Sequence, residues 1–281
     1  AAGPSLFCCV VSLRSEISDI LRRSNKTVIF PGMAAGCSMA DMVAIERVDQ
    51  CWETLGRILS GEEAVMPAVY VNSAAVLKAF CGGHGGITCT SSNAKAVMEW
   101  SWARREKILF FPDEHLGRNT ANKMGLPREE MIVWDPYQPN GGNTREAIQR
   151  AKLILWKGHC SVHQMFQPVH VDNFRKRYPD GKVIVHPECH EDVVNRADLS
   201  GSTELIIRTV TAAPSGTAWA VGPELNLVNR LKRALTDKTN FLLSSKICHS
   251  ATNVRFDNAQ LFWAMHTLAD SHVCSHNVAH T

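Results

Sequence analysis

The chain has 281 residues, 45% of them hydrophobic, enough to bury a sizeable core in one large domain or in two to three small ones. Its 30 basic and 27 acidic residues leave a formal charge of +3 with no basic block and no acidic tail. Composition therefore argues against nucleic acid or an anionic membrane as partner and for a small molecule. No apolar run approaches the roughly 20 residues that cross a bilayer.

Short β-branched or apolar runs alternate with stretches of helical period, the pattern of repeated βα units and parallel sheets. In chain order the sequence predicts strand Thr27–Phe30, helix Ala40–Leu59, strand Ala68–Val71, helix Ala74–Phe80, strand Ile87–Cys89 and helix Asn93–Arg104. Strands Lys107–Phe111 and Met131–Trp134 follow, then helix Arg145–Ala151, strand Leu153–Trp156, helix Val169–Tyr178, strand Lys182–Val185 and helix His190–Ala197. Strand Ala218–Val221, helix Glu224–Leu235, strand Phe241–Leu243 and helix Asn258–Ala269 complete the prediction. The strand exits are polar, among them Asn72-Ser73, Thr90-Ser91-Ser92-Asn93, Pro112-Asp113-Glu114-His115 and His186-Pro187-Glu188-Cys189. Open α/β sheets bind ligands beyond the carboxyl ends of their strands, so a site belongs at these tips.

Ten cysteines in a chain with no basic n-region at its start make metal or redox chemistry a live reading, because reducing compartments disfavour structural disulfides. Cys8, Cys9, Cys51 and Cys81 lie in apolar segments and read as small core hydrophobes. Cys37 precedes a predicted helix, a position that favours thiolate. Cys160 lies in a post-strand loop between His159 and His163, and Cys248 follows the last predicted strand. Three distant thiols without a C-x-x-C pair speak against a zinc ribbon or a ferredoxin run. They leave open either a cluster held by three loops or scattered structural thiols.

His186 and Glu188 flank a proline that fixes the backbone between them, so the pair could bind a polar substrate and move protons, or be a solvated turn. Tyr70 and Asn72 alternate along a strand and share one face, although a half-buried strand aromatic is the commoner fate of Tyr70. Ser91 and Thr203 sit at helix or loop starts whose hydroxyls and free N–H groups suit phosphate or carboxylate, and equally suit ordinary helix caps. Arg118 is a candidate partner for an acidic ligand, and His84, in its glycine loop, reads as exposed. No G-x-G-x-x-G follows a strand, which removes support for a nicotinamide dehydrogenase.

Taken in order, Ala35-Gly36-Cys37-Ser38-Met39-Ala40, Tyr70-Val71-Asn72-Ser73, Cys89-Thr90-Ser91-Ser92-Asn93, Phe111 to Asn119, Gly158-His159-Cys160-Ser161-Val162-His163, His186-Pro187-Glu188-Cys189 and Gly201-Ser202-Thr203 closely resemble the quinolinate synthase family. The resemblance runs from about Val10 to Leu268. It implies three similar three-layer α/β/α subdomains with parallel sheets around a central cluster site, the first subdomain incomplete. The corresponding segments are 1–60, 61–150 and 151–240, with 241–281 returning to the first. It implies condensation of iminoaspartate with dihydroxyacetone phosphate to quinolinate, a step of NAD biosynthesis in the cytoplasm. A [4Fe-4S] cluster would act as Lewis acid, and an L-aspartate-oxidising enzyme would supply iminoaspartate. Cys37, Cys160 and Cys248 would be the cluster ligands; Tyr70, Asn72, Ser91, His186, Glu188 and Thr203 would line the substrate site, with Tyr70, His186 and Glu188 catalytic.

Three departures qualify these expectations. An N-terminal Ala-His-Tyr-Tyr-Gln-like motif and a Gly-Asp-Ser are absent from the sequence, so the chain as given is expected to be a poor catalyst, with a non-catalytic relative or a zinc-stabilised binding protein as rival readings. The family's Gly-Thr-Glu reads Gly222-Pro223-Glu224. Where relatives carry Cys-x-Cys, this chain has Cys248-His249-Ser250, so Ser250 stands in for the second thiol.

Overall fold

A computed structural model describes residues 5–7, 12–30, 35–244, 262 and 265–266. Its three sheets are parallel throughout. The first pairs β1 (Ser5–Phe7) with β2 (Thr27–Ile29), joined through α1 (Ser12–Leu21). A 3-10 turn, Ala40–Met42, and α2 (Ile45–Leu59) lead into the second sheet. Helix begins at Ile45 rather than at the predicted Ala40, because Val43 is extended and interrupts it.

The second sheet has the order β4-β3-β5-β7-β6, from β3 (Val65–Tyr70), β4 (Ile87–Cys89), β5 (Lys107–Phe111), β6 (Met131–Trp134) and β7 (Leu153–Trp156). The connecting helices are α3 (Ala75–Gly83), α4 (Ala94–Trp102), α5 (Glu114–Lys123) and α6 (Arg145–Arg150). Side chains alternate between its faces. Val69, Leu109, Phe111, Ile154 and Trp156 pack with Leu55 and Leu77 on one side, and Tyr70, Ile108, Phe110 and Leu155 pack with Met98 and Leu116 on the other. Two packed faces make an α/β/α sandwich and explain why these strands are continuous apolar runs. Because β7 lies between β5 and β6, this sheet takes the chain to Trp156, past the expected boundary at 150. Pro67 is tolerated inside β3 because β4 starts its pairing only at Ala68, so no neighbour on that side is denied a donor.

The third sheet has the order β11-β10-β8-β9. Its chain order is α7 (Pro168–Arg177), β8 (Lys182–Val185), α8 (Glu191–Arg196), β9 (Leu199–Ser200), α9 (Thr203–Ala212), β10 (Ala218–Gly222), α10 (Leu225–Ala234) and β11 (Thr239–Leu242). The strand expected to return to the first unit is β11, and it instead extends the third sheet, Val221 pairing with Leu242. Within the predicted helix Asn258–Ala269 the described residues are Phe262, Met265 and His266, all helical, and the rest of it lies outside the described residues.

In the second sheet the chain leaves β3 towards β4 on one side and leaves β5 towards β6 on the other. In the third it leaves β8 towards β9 and β10 towards β11, again in opposite directions. Such divergences open crevices at the carboxyl ends of the strands. Tyr70 ends β3 and His186 follows β8, so each crevice carries a predicted site residue at its mouth, and Asp113 follows β5.

Candidate active site

The exits of the second and third sheets meet around Glu188, which is 2% exposed. Its carboxylate accepts a hydrogen bond from the Tyr70 hydroxyl. His163 Nδ1 stands 3.0 Å from Glu188 Oε2, an approach too oblique for a well-formed hydrogen bond, and His186 Nδ1 lies 3.8 Å from Oε1. The two imidazoles stack with centroids 4.8 Å apart. Burial opposes the charge on Glu188, but His186, His163 and the Tyr70 hydroxyl outweigh it and hold this carboxyl below the usual range. Burial and the nearby Glu188 charge push the Tyr70 phenol well up, so it stays protonated. Burial lowers His186 to about 4. At neutral pH the site holds one carboxylate, a neutral imidazole and a phenol.

Cys160 Sγ, a His163 ring nitrogen and a Glu188 oxygen lie within 4.8 Å of one another. Cys37 arrives from another element: Ser38 Oγ is 3.2 Å from Ser161 Oγ, and both Cys37 and Cys160 pack against the apolar cluster that contains Met39 and Tyr70. Each sulfur accepts backbone N–H groups, Cys37 from Ala40 and Met39, Cys160 from His163 and Val162. The expected lowering of the Cys37 thiol does not occur. Burial raises it, with Glu188 adding to the effect and the backbone donors only partly offsetting it, since a 3-10 turn stands where the helix was expected. Cys248 and Ser250 lie outside the described residues.

Ser91 borders a cavity of about 390 Å³ with Lys95, Asn119, Lys123, Pro187 and Ser202. Thr203 is exposed on the first turn of α9, where Ser202 caps the helix, and does not line that cavity. Asn72 is half-buried, and its Oδ1 has no hydrogen-bond partner among the described residues. Arg118, expected to face a ligand, pairs with Glu114 of its own helix at 3.1 Å. His84 is not free in its loop but packs on Phe80 and Trp52, its Nδ1 2.8 Å from Phe80 O. Cys51 and Cys81 are buried, as expected of core thiols.

Sequence reasoning gave no role to Asp113. It is fully buried and caps α5 through Leu116 N at 2.6 Å, while its other oxygen accepts from Cys160 N at 3.2 Å. Burial and the Glu188 charge push its carboxyl well up against these two donors. Its partner lies 47 positions away on a different loop, and the only sequence signal was its place at a strand exit.

A family model described as quinolinate synthetase A protein matches residues 4–280. A quinolinate synthase of Rhodopirellula baltica is 50% identical over 277 residues, covering 95% of this chain and 70% of its own length. Those of Acidobacterium capsulatum and Herpetosiphon aurantiacus are 51% and 49% identical, with 72% and 73% of their lengths covered. The chain belongs to the quinolinate synthetase A family. The parallel α/β units and an enzymatic activity agree with that membership. The donor set also fits a metal centre of this family. Two thiols from different elements, each with N–H groups aimed at sulfur and set among apolar side chains, suit iron and sulfide better than a hard cation.

Proposed function

We propose that the chain is a quinolinate synthase that condenses iminoaspartate with dihydroxyacetone phosphate in the cytoplasm, using a [4Fe-4S] cluster held by Cys37, Cys160 and Cys248. The observation that carries the reading is the meeting of Cys160, His163 and Glu188 within 4.8 Å at the joined strand exits. When bound, the cluster supplies Lewis acidity towards a substrate oxygen. Glu188, ionised and facing Tyr70 and His163, removes the protons that a condensation followed by dehydration must shed. Tyr70 keeps its proton, donates it in a hydrogen bond to Glu188, and so aims the carboxylate. His186 Nδ1 accepts from Glu188 N at 3.3 Å, which places the ring proton on Nε2 as a donor for a substrate oxygen. Ser91 and Asn72 supply further polar contacts, and Thr203 is proposed as a more distant one on α9. An L-aspartate-oxidising enzyme is the proposed source of iminoaspartate, an unstable imine. Among the described residues no helix is long and apolar enough to cross a membrane.

The test is quinolinate formation by protein produced from the complete gene, purified anaerobically and loaded with iron and sulfide. Quinolinate from the two substrates is the expected outcome. Iron-loaded protein that makes none would refute the proposal.

A further inference from the structure

Asn119 lies in the middle of α5, 2% exposed, on an element built into the second sheet's layers. Its amide reaches across to the third sheet. Nδ2 donates to Pro187 O and to Cys189 O, each at 2.8 Å, so both hydrogens are committed to the carbonyls that flank Glu188. The turn has internal bonds as well, Cys189 N to His186 O at 3.0 Å and Glu188 N to His186 Nδ1 at 3.3 Å. These fix the shape of the turn but not its placement against Tyr70, which belongs to the other sheet. The Asn119 amide supplies that registration, because α5 packs directly on β5, beside β3 and its Tyr70. Gly117 allows the close approach: a Cβ there would lie 2.4 Å from Leu155 Cδ2.

We infer that Asn119 is a positioning residue for Glu188, setting the carboxylate against Tyr70 and His163 by holding the peptide carbonyls on either side of it. The inference rests on the proposed role of Glu188 in proton removal. A primary amide is suited to the task, since two hydrogens on one nitrogen bridge two carbonyls. A carboxylate of the same shape would instead set oxygen against oxygen.

The decisive variant is Asn119→Asp in the cluster-loaded protein from the complete gene. Displacement of a reacting group by about 1 Å costs on the order of 10²-fold, so kcat should fall by that factor while KM for dihydroxyacetone phosphate stays near the wild-type value. The second readout is spectroscopic. Ring-¹³C tyrosine labelling, with Tyr70→Phe as the assignment control, isolates the Tyr70 resonance. N119D should shift that resonance and leave Tyr137 and Tyr178 in place, a pattern that general loss of stability does not produce. A wild-type kcat or an unmoved Tyr70 resonance would overturn the inference. If N119D does not fold, Asn119→Ala, which also removes both donors, is judged on the same two criteria. Wild-type turnover by Glu188→Gln would instead overturn the underlying role of Glu188, whatever N119D does.

Discussion

Glu188 keeps its charge at 2% exposure because Tyr70 and two imidazoles surround it. Removing that charge while keeping the shape, by Glu188→Gln, should lower kcat on the order of 10²–10⁴-fold, as loss of a general base does, with the fold retained. Steady-state kinetics beside a circular dichroism spectrum check this. A second residue sets a pH dependence of stability. His115 is 4% exposed, and burial first, then Arg118, His190 and His159, lower it from 6.5 to about 4. The unfolded chain therefore binds this proton near pH 6.5, whereas the folded chain resists it until about pH 4. Between those values the unfolded state holds more protons, so stability rises with pH and is lost on acidification. His115→Leu should flatten that slope by on the order of 1–3 kcal/mol across the window, measured by urea unfolding at stepped pH.

At the scale of elements, α5 joins the two sheets through its ends and its middle. Asp113 caps it and holds Cys160 N, Glu114 N donates to Gly158 O at 2.9 Å, and Lys123 Nζ donates to Ser200 O at 2.7 Å. Asp113→Ala should cost about 1–2 kcal/mol as a lost cap and also release the Cys160 loop. Asp113→Asn keeps a cap oxygen and loses mainly the bond to Cys160, so it should lower bound iron with a smaller fall in Tm. Iron assay and thermal melts separate the two. This helix is also where sequence reasoning fell short. Glu114–Lys123 has no apolar stripe of period 3.6, because its buried face makes polar contacts to another sheet. The helix Thr203–Ala212 was missed for a different reason: Ile206, Ile207, Thr209 and Val210 are β-branched and blur the helical period, although the Ser202 cap and the burial of Ile206 and Val210 favour helix. Strands such as Lys107–Phe111 and Leu153–Trp156 were legible to the residue, since burial on both faces writes an unbroken apolar run. His186 and Glu188 were legible from the rigid His-Pro-Glu turn, whereas Asp113 acts through a backbone N–H that leaves no trace in side-chain type.

At the scale of the molecule, the second and third sheets turn their carboxyl ends towards one point, and the proposed ligands Cys37 and Cys160 lie beside it on different elements. Cys37→Ser and Cys160→Ser should each lose most of the iron taken up anaerobically, and the double variant should be no worse than either single one. Retention of full iron by either variant would exclude that thiol as a ligand. The Cys37 arm has an anchor of its own. Trp156, fully buried in the second sheet, donates from Nε1 to Met42 O at 3.2 Å. Met39, 1% exposed, packs among Tyr70, Phe110 and Leu155. The arm thus shares its cohesion with the middle sheet over residues 39–42, while Ser12 N donates to Ala35 O at 2.8 Å and ties its start to α1. Amide protons in residues 39–43 should accordingly exchange with deuterium as slowly as those of β5 and β7, in a single cooperative unit, while the amides of α1 exchange sooner. If Cys37 holds a cluster as proposed, that ligand stays in place through any opening of the first sheet that leaves residues 39–42 closed on the middle one.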